Sequence, residues 1–83
     1  MINKELLASV FSNYGISKAI SFKFNNHLVF LIDKMNQSLN LERWELLENV
    51  LKDVTESDII LLPLSYAKEY FKSDIISKGL VIG

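Results

Sequence analysis

The sequence predicts an α/β (α+β) domain: a small mixed sheet of about four strands with three helices, in the order α-β-β-α-β-α-β. Three features point there. Apolar residues recur at helical spacing in separate segments of the chain. Two alternating runs flank Asn25-Asn26 as the arms of a hairpin would. Ile59-Ile60-Leu61-Leu62 is an unbroken apolar run bounded by polar residues, the pattern of a strand covered on both faces.

Each element has its own reason. Ile2, Leu6, Leu7, Val10, Phe11 and Tyr14 share a helical stripe. Asn3 can cap the start and Gly15 suits the left-handed position past the end, so a helix is expected over Lys4–Tyr14. Ile20, Phe22 and Phe24 then alternate with Ser21 and Lys23. Asn tolerates the positive φ of a two-residue turn. A turn at Asn25-Asn26 sets Phe24 opposite His27, Phe22 opposite Val29 and Ile20 opposite Leu31, on an apolar face. The other face carries Ala19, Ser21 and Lys23 against Ile32, Phe30 and Leu28, half apolar and therefore also expected to be covered. Polar residues 34–38 read as a loop. A second helix is expected over Leu39–Lys52, with Leu41, Trp44, Leu47 and Leu51 on one stripe and Glu42, Glu45 and Glu48 off it as a solvated face. An acidic connection, Asp53–Asp58, leads to the Ile59–Leu62 strand. Pro63 removes a ladder donor, which ends that strand or marks it as a sheet edge. A third helix is expected over Ser65–Ser77, with Tyr66, Tyr70, Phe71 and Ile75 on one side. Gly79 ends it before a short last strand, Leu80–Ile82.

Composition narrows the function. With 83 residues the chain is one domain, and 49% of them are hydrophobic. That is much apolar material for a thin core, so part of it is expected to meet a partner or a second copy. The net charge is −1 with no basic run, which argues against a duplex-binding stripe. Arg43 is the only arginine, so no paired-guanidinium clamp exists. The absence of cysteine removes disulfides, thiolate nucleophiles and thiolate metal sites. Asn3, Lys4 and Glu5 interrupt the N-terminus, and the longest apolar runs fall far short of a bilayer. A cytoplasmic protein with no signal peptide and no membrane span is expected.

Little in the side chains carries chemistry. His27 is the only histidine and offers no ligand spacing. At the hairpin tip it reads as structural or solvent-facing. Asp53, Glu56 and Asp58 lack the central glycine of a calcium loop. The three glycines are scattered, so no phosphate cradle is present. Phe22, Lys23 and Phe24 suggest a base-stacking platform, but Phe22 and Phe24 fall on the core face. Tyr66 and Tyr70 read as core residues with hydroxyls at the rim, and as a partner-binding face in the sharper alternative.

Two stretches resemble a known family. Asp58-Ile-Ile-Leu-Leu-Pro-Leu64, with the helix after it and Ser77-Lys-Gly-Leu-Val-Ile82, resembles the end of minimal nucleotidyltransferases. These are the small DNA-polymerase-β-like domains often encoded beside a helical toxin partner. Asn13-Tyr-Gly-Ile-Ser-Lys-Ala-Ile-Ser-Phe22 resembles the helix end and first strand that lead into their active site. The likeness covers most of the chain and implies their fold, but the chemistry fails position by position. The Gly-Ser turn that holds the triphosphate is replaced by Lys23-Phe24-Asn25-Asn26. The Asp-x-Asp pair that binds magnesium falls on His27 and Val29, and the third carboxylate on Ile60. Asp58 is the only nearby substitute, and Asp33 lies at the far end of its strand. Without carboxylates to hold the ions, the resemblance implies a catalytically silent member with no cofactor.

The function expected is a non-catalytic, nucleotidyltransferase-like interaction module, an antitoxin-like or regulatory subunit of a helical partner. Its candidate partner-binding residues are Tyr66, Tyr70 and Trp44. Alternatives are a stand-alone homo-oligomeric domain, or a weak nucleotide or single-stranded RNA binder using Lys23, Phe24 and His27. A residual polar site would have to be built from His27, Asp33 and Asp58.

Overall fold

The computed structural model describes residues 3–83. Helix α1 (Lys4–Asn13) begins at Asn3, whose side-chain oxygen accepts from the Leu6 N–H at 3.0 Å. It ends through Tyr14 and Gly15, and the φ of +75° at Gly15 is one that a side chain would strain. Leu7 and Phe11 are its buried contacts. Ile2, expected on the same stripe, lies outside the described residues.

Strands β1 (Ile16–Phe24) and β2 (His27–Met35) form the expected hairpin, in the expected register: Phe24 opposite His27, Phe22 opposite Val29, Ile20 opposite Leu31. Asn25 takes a φ of 54° in the turn. The ladder shifts register around Lys18, where a bulge turns the strand toward Gly15, whose carbonyl accepts from the Asn36 N–H at 2.7 Å. The second strand therefore runs on to Met35, into residues read as loop from their polarity alone.

Helix α2 (Leu41–Thr55) starts two residues later and ends three later than expected. The start is set by Asn40, whose side chain accepts from the Arg43 N–H at 2.8 Å. The end is a left-handed Glu56, with a φ of 52°. Strand β3 (Ile59–Pro63) pairs in parallel with β2, and β4 (Leu80–Ile82) pairs antiparallel with β1. The strand order is β3-β2-β1-β4, so β3 with its Pro63 lies at an edge.

The third helix is not continuous. It divides into α3 (Leu64–Ala67) and α4 (Lys72–Lys78), giving four helices among the described residues rather than three. Phe71, with φ −101° and ψ 19°, leaves the helical region between them. The break lets Phe71 drop onto the sheet, where its ring meets Phe22 at 5.1 Å.

Both faces of the sheet are covered. Under α1 and α2 lie Phe30, Ile32, Leu28, Leu61 and Ile82, and Phe30 meets Phe11 edge-on at 5.5 Å. Such a ring pair contributes about 0.5–1.5 kcal/mol beyond its burial. Under α3 and α4 lie Phe22, Val29 and Leu31, packed by Ala67 and Phe71. Among the described residues two short helices cover this second face, and their cover of β3 is incomplete, leaving Ile60 and Leu62 half-buried. No helix among the described residues is long and apolar enough to cross a membrane.

Candidate functional site: an aromatic groove beside the sheet edge

The gap in that cover is a groove of about 420 Å³. Its floor is Ile60 and Leu62 of β3, and its walls are Phe24, Ala67, Phe71, Tyr66 and Tyr70. The rings on one wall are linked edge to face: Phe24 to Phe71 at 5.1 Å, Tyr70 to Phe71 at 4.7 Å, Phe24 to Tyr70 at 6.3 Å. Phe71 is 4% exposed and anchors the wall. Tyr66 and Tyr70 are 84% and 76% exposed, which corrects their reading as core residues with only their hydroxyls at the rim. The core stripe of this segment is Ala67 and Phe71, one position further along, with Leu64 and Ile75 half-buried beside it. Ala67 closes α3, and residues 68–71 form the non-helical connection to α4, which turns Phe71 onto the sheet and leaves Tyr70 outward.

Trp44 does not share this groove. It packs half-buried against the core under α2, on the opposite face of the sheet from α3 and α4. The candidate partner-binding trio is thus divided by the sheet, with Tyr66 and Tyr70 on one side.

The residual polar trio is divided as well. His27 opens β2 opposite Phe24, and Asp58 immediately precedes β3, its carbonyl accepting from the Leu28 N–H at 2.9 Å. These two flank the hairpin end of the sheet. Asp33 lies six residues along β2 from His27, about 20 Å away in an extended strand. There its carboxylate pairs with Lys18 at 3.3 Å. Among the described residues no group of three histidine, cysteine or acidic side chains comes close enough to hold a metal ion.

The positions at which the resemblance expects metal-binding carboxylates do come together. Val29 stands opposite Phe22 on one side and Ile60 on the other, and His27 is two residues before it on the same face. The donors do not fit a hard divalent cation, which requires oxygen ligands. Val29 is fully buried and packs in the cluster that holds Ala67 and Phe71. The same juxtaposition that would build a carboxylate site builds apolar packing here.

No family model, no curated protein and no solved structure matches the chain significantly. The reading of the site therefore rests on its own geometry. The sequence sets Tyr66, Tyr70 and Phe71 on one side of a helix, but it does not bring Ile60 and Leu62 of β3 or Ala67 to them. The four-residue spacing of Ala67 and Phe71 is the signal that separates the core positions from the tyrosines, because the expected stripe holds Phe71 and Ile75 together with Tyr66 and Tyr70 and leaves Ala67 out.

Proposed function

We propose that this chain is a non-catalytic, nucleotidyltransferase-like interaction module. In this reading it is an antitoxin-like or regulatory subunit of the cytoplasm that binds a protein partner through the groove at Tyr66 and Tyr70. One observation carries the proposal. Val29 and Ile60, where the resembled family needs oxygen donors, are instead neighbours in an apolar cluster, and that cluster continues into an open aromatic groove. Two large exposed aromatic rings beside an apolar floor suit a protein interface, because such rings supply much contact area with few rotors. The half-burial of Phe24 beneath Tyr70 and Phe71 counts against a stacking platform for single-stranded nucleic acid, which needs open ring faces.

The test compares the tagged wild-type chain with Tyr66→Asp/Tyr70→Asp, each purified from the source cells. A helical protein recovered in fixed stoichiometry with the wild type, and lost from the double variant, supports the reading. Recovery of the wild type alone as a homo-oligomer replaces it with self-association. A rise in melting temperature with millimolar magnesium nucleotide would replace this reading with that of a nucleotide binder or an enzyme, since ligands that bind the native state stabilise it.

A further inference from the structure

The opposite side of the molecule carries a second unpartnered apolar surface, with a different character. Helices α1 and α2 lie antiparallel. The Arg43 guanidinium, near the start of α2, donates to the Asn13 carbonyl at 3.3 Å and sits over the Tyr14 ring at 4.9 Å, both at the end of α1. At the other end, Val54 and Thr55 of α2 line a cleft of about 590 Å³ with Asn3 and Leu6 of α1. Leu46, Val50 and Val54 recur every fourth residue and so form one stripe along α2. This stripe is incompletely covered: Leu46 is 49% exposed, Val54 36%, and Leu6 across the cleft 45%.

Charge selects what can cover it. Helix α2 and the loop after it carry six carboxylates, Glu42, Glu45, Glu48, Asp53, Glu56 and Asp58, against two cations, Arg43 and Lys52. Arg43 is committed to α1, and none of the six carboxylates forms an ion pair among the described residues. Around α2, Glu42 and Asp53 fall within about 40° of Leu46 and so border the stripe, whereas Lys4 on α1 and Lys23 at the cleft offset only part of the acidic excess. Such an excess repels nucleic acid and anionic lipid surfaces, and it attracts lysine- and arginine-bearing protein segments. An elongated apolar stripe along a helix is the shape that an amphipathic helix fills.

We propose that the α1/α2 face docks a basic amphipathic helix of a partner protein. Its apolar residues lie on Leu6, Leu46 and Val54, and its cations lie against Glu42, Asp53 and the neighbouring carboxylates. This surface is separate from the Tyr66/Tyr70 groove, and the inference stands whether or not that groove binds a partner.

The experiment is calorimetric titration of the full chain with two synthetic amphipathic peptides of identical apolar pattern, one built on leucine and lysine and the other on leucine and glutamate. The lysine peptide is expected to bind with an affinity that falls as salt is raised, and the glutamate peptide not to bind. Leu46→Ser, and separately Glu42→Lys/Asp53→Lys, are each expected to weaken binding at least about tenfold. Ile76→Ser, an exposed change on α4, is expected to leave it unchanged. Circular dichroism of each variant confirms that it is folded. Absence of binding, equal binding of the two peptides, or binding insensitive to Leu46→Ser would overturn the proposal. Loss of binding in Tyr66→Ser with Leu46→Ser unaffected would move the peptide to the aromatic groove and overturn it equally.

Discussion

Phe71 stands edge-on to Phe24 with ring centroids 5.1 Å apart, joining the α3–α4 segment to the hairpin tip across the second face of the sheet. Phe22 receives the same ring at the same distance, so one side chain secures a segment with few other buried residues. Phe71→Ala is expected to cost about 3–5 kcal/mol, and Phe71→Leu clearly less. Urea denaturation of the two variants checks the order. Equal and small losses would mean that the segment is held elsewhere.

Val29 and His27 differ in what they tolerate, although both fall where the resembled family carries an acidic pair. Val29 is fully buried between β1 and β3, so Val29→Asp places an unpaired charge among aliphatic groups and is expected to cost about 3–5 kcal/mol or to prevent folding. His27 is half-exposed at the strand end, and His27→Asp is expected to stay within about 1 kcal/mol of wild type. Thermal melts of the two single variants test whether these two positions are structural. A well-tolerated Val29→Asp would mean that the sheet can house an acidic pair there.

Ser21 is fully buried between Phe30 and Leu80, and its hydroxyl has no hydrogen-bond partner among the described residues. Removing an unsatisfied buried hydroxyl relieves a desolvation cost, so Ser21→Ala is expected to stabilise the fold by about 1 kcal/mol. A higher urea midpoint with an unchanged slope is the expected reading, and a lower midpoint would show that the hydroxyl has a partner in solution.

Gly79 is held by crowding rather than by its backbone angle. A Cβ there would stand 2.5 Å from the Ile75 carbonyl oxygen and 3.1 Å from Ile20 Cγ2. Gly79→Ala must therefore shift the end of α4 against β1, at an expected cost of about 1–3 kcal/mol. Differential scanning calorimetry reads this as a lowered melting temperature. No change would mean that α4 relaxes freely.

The parts of the fold that were legible in the sequence are those fixed by local chemistry. Asn25-Asn26 sets the turn, and a side-chain period of two then fixes every pair from Phe24–His27 to Ile20–Leu31. Asn3 and Gly15 bounded α1 through their own backbone requirements. The break between α3 and α4 was not legible, because Lys68, Glu69 and Tyr70 carry no glycine or proline to stop a helix. What divides the helix is the fit of Phe71 against Phe22 and Phe24, two residues almost fifty positions away. The groove follows from that break and was hidden for the same reason. Strand β2 ran past Lys34 because pairing with the bulged start of β1 outweighed the polarity of the segment.

The strand order has a consequence in time. Both central strands come from one uninterrupted stretch, residues 16–35, closed by a two-residue turn. A hairpin of this kind forms in about 1–10 μs, whereas β3 joins β2 only after the chain has traversed α2. The sheet is therefore expected to grow outward from its middle, with the two edges added late. A lesion at Phe30 in the hairpin should slow the folding limb of a chevron plot, while one at Phe71 should quicken unfolding and leave the rate of folding nearly unchanged. The aromatic groove then belongs to the last part of the molecule to assemble and the first to open.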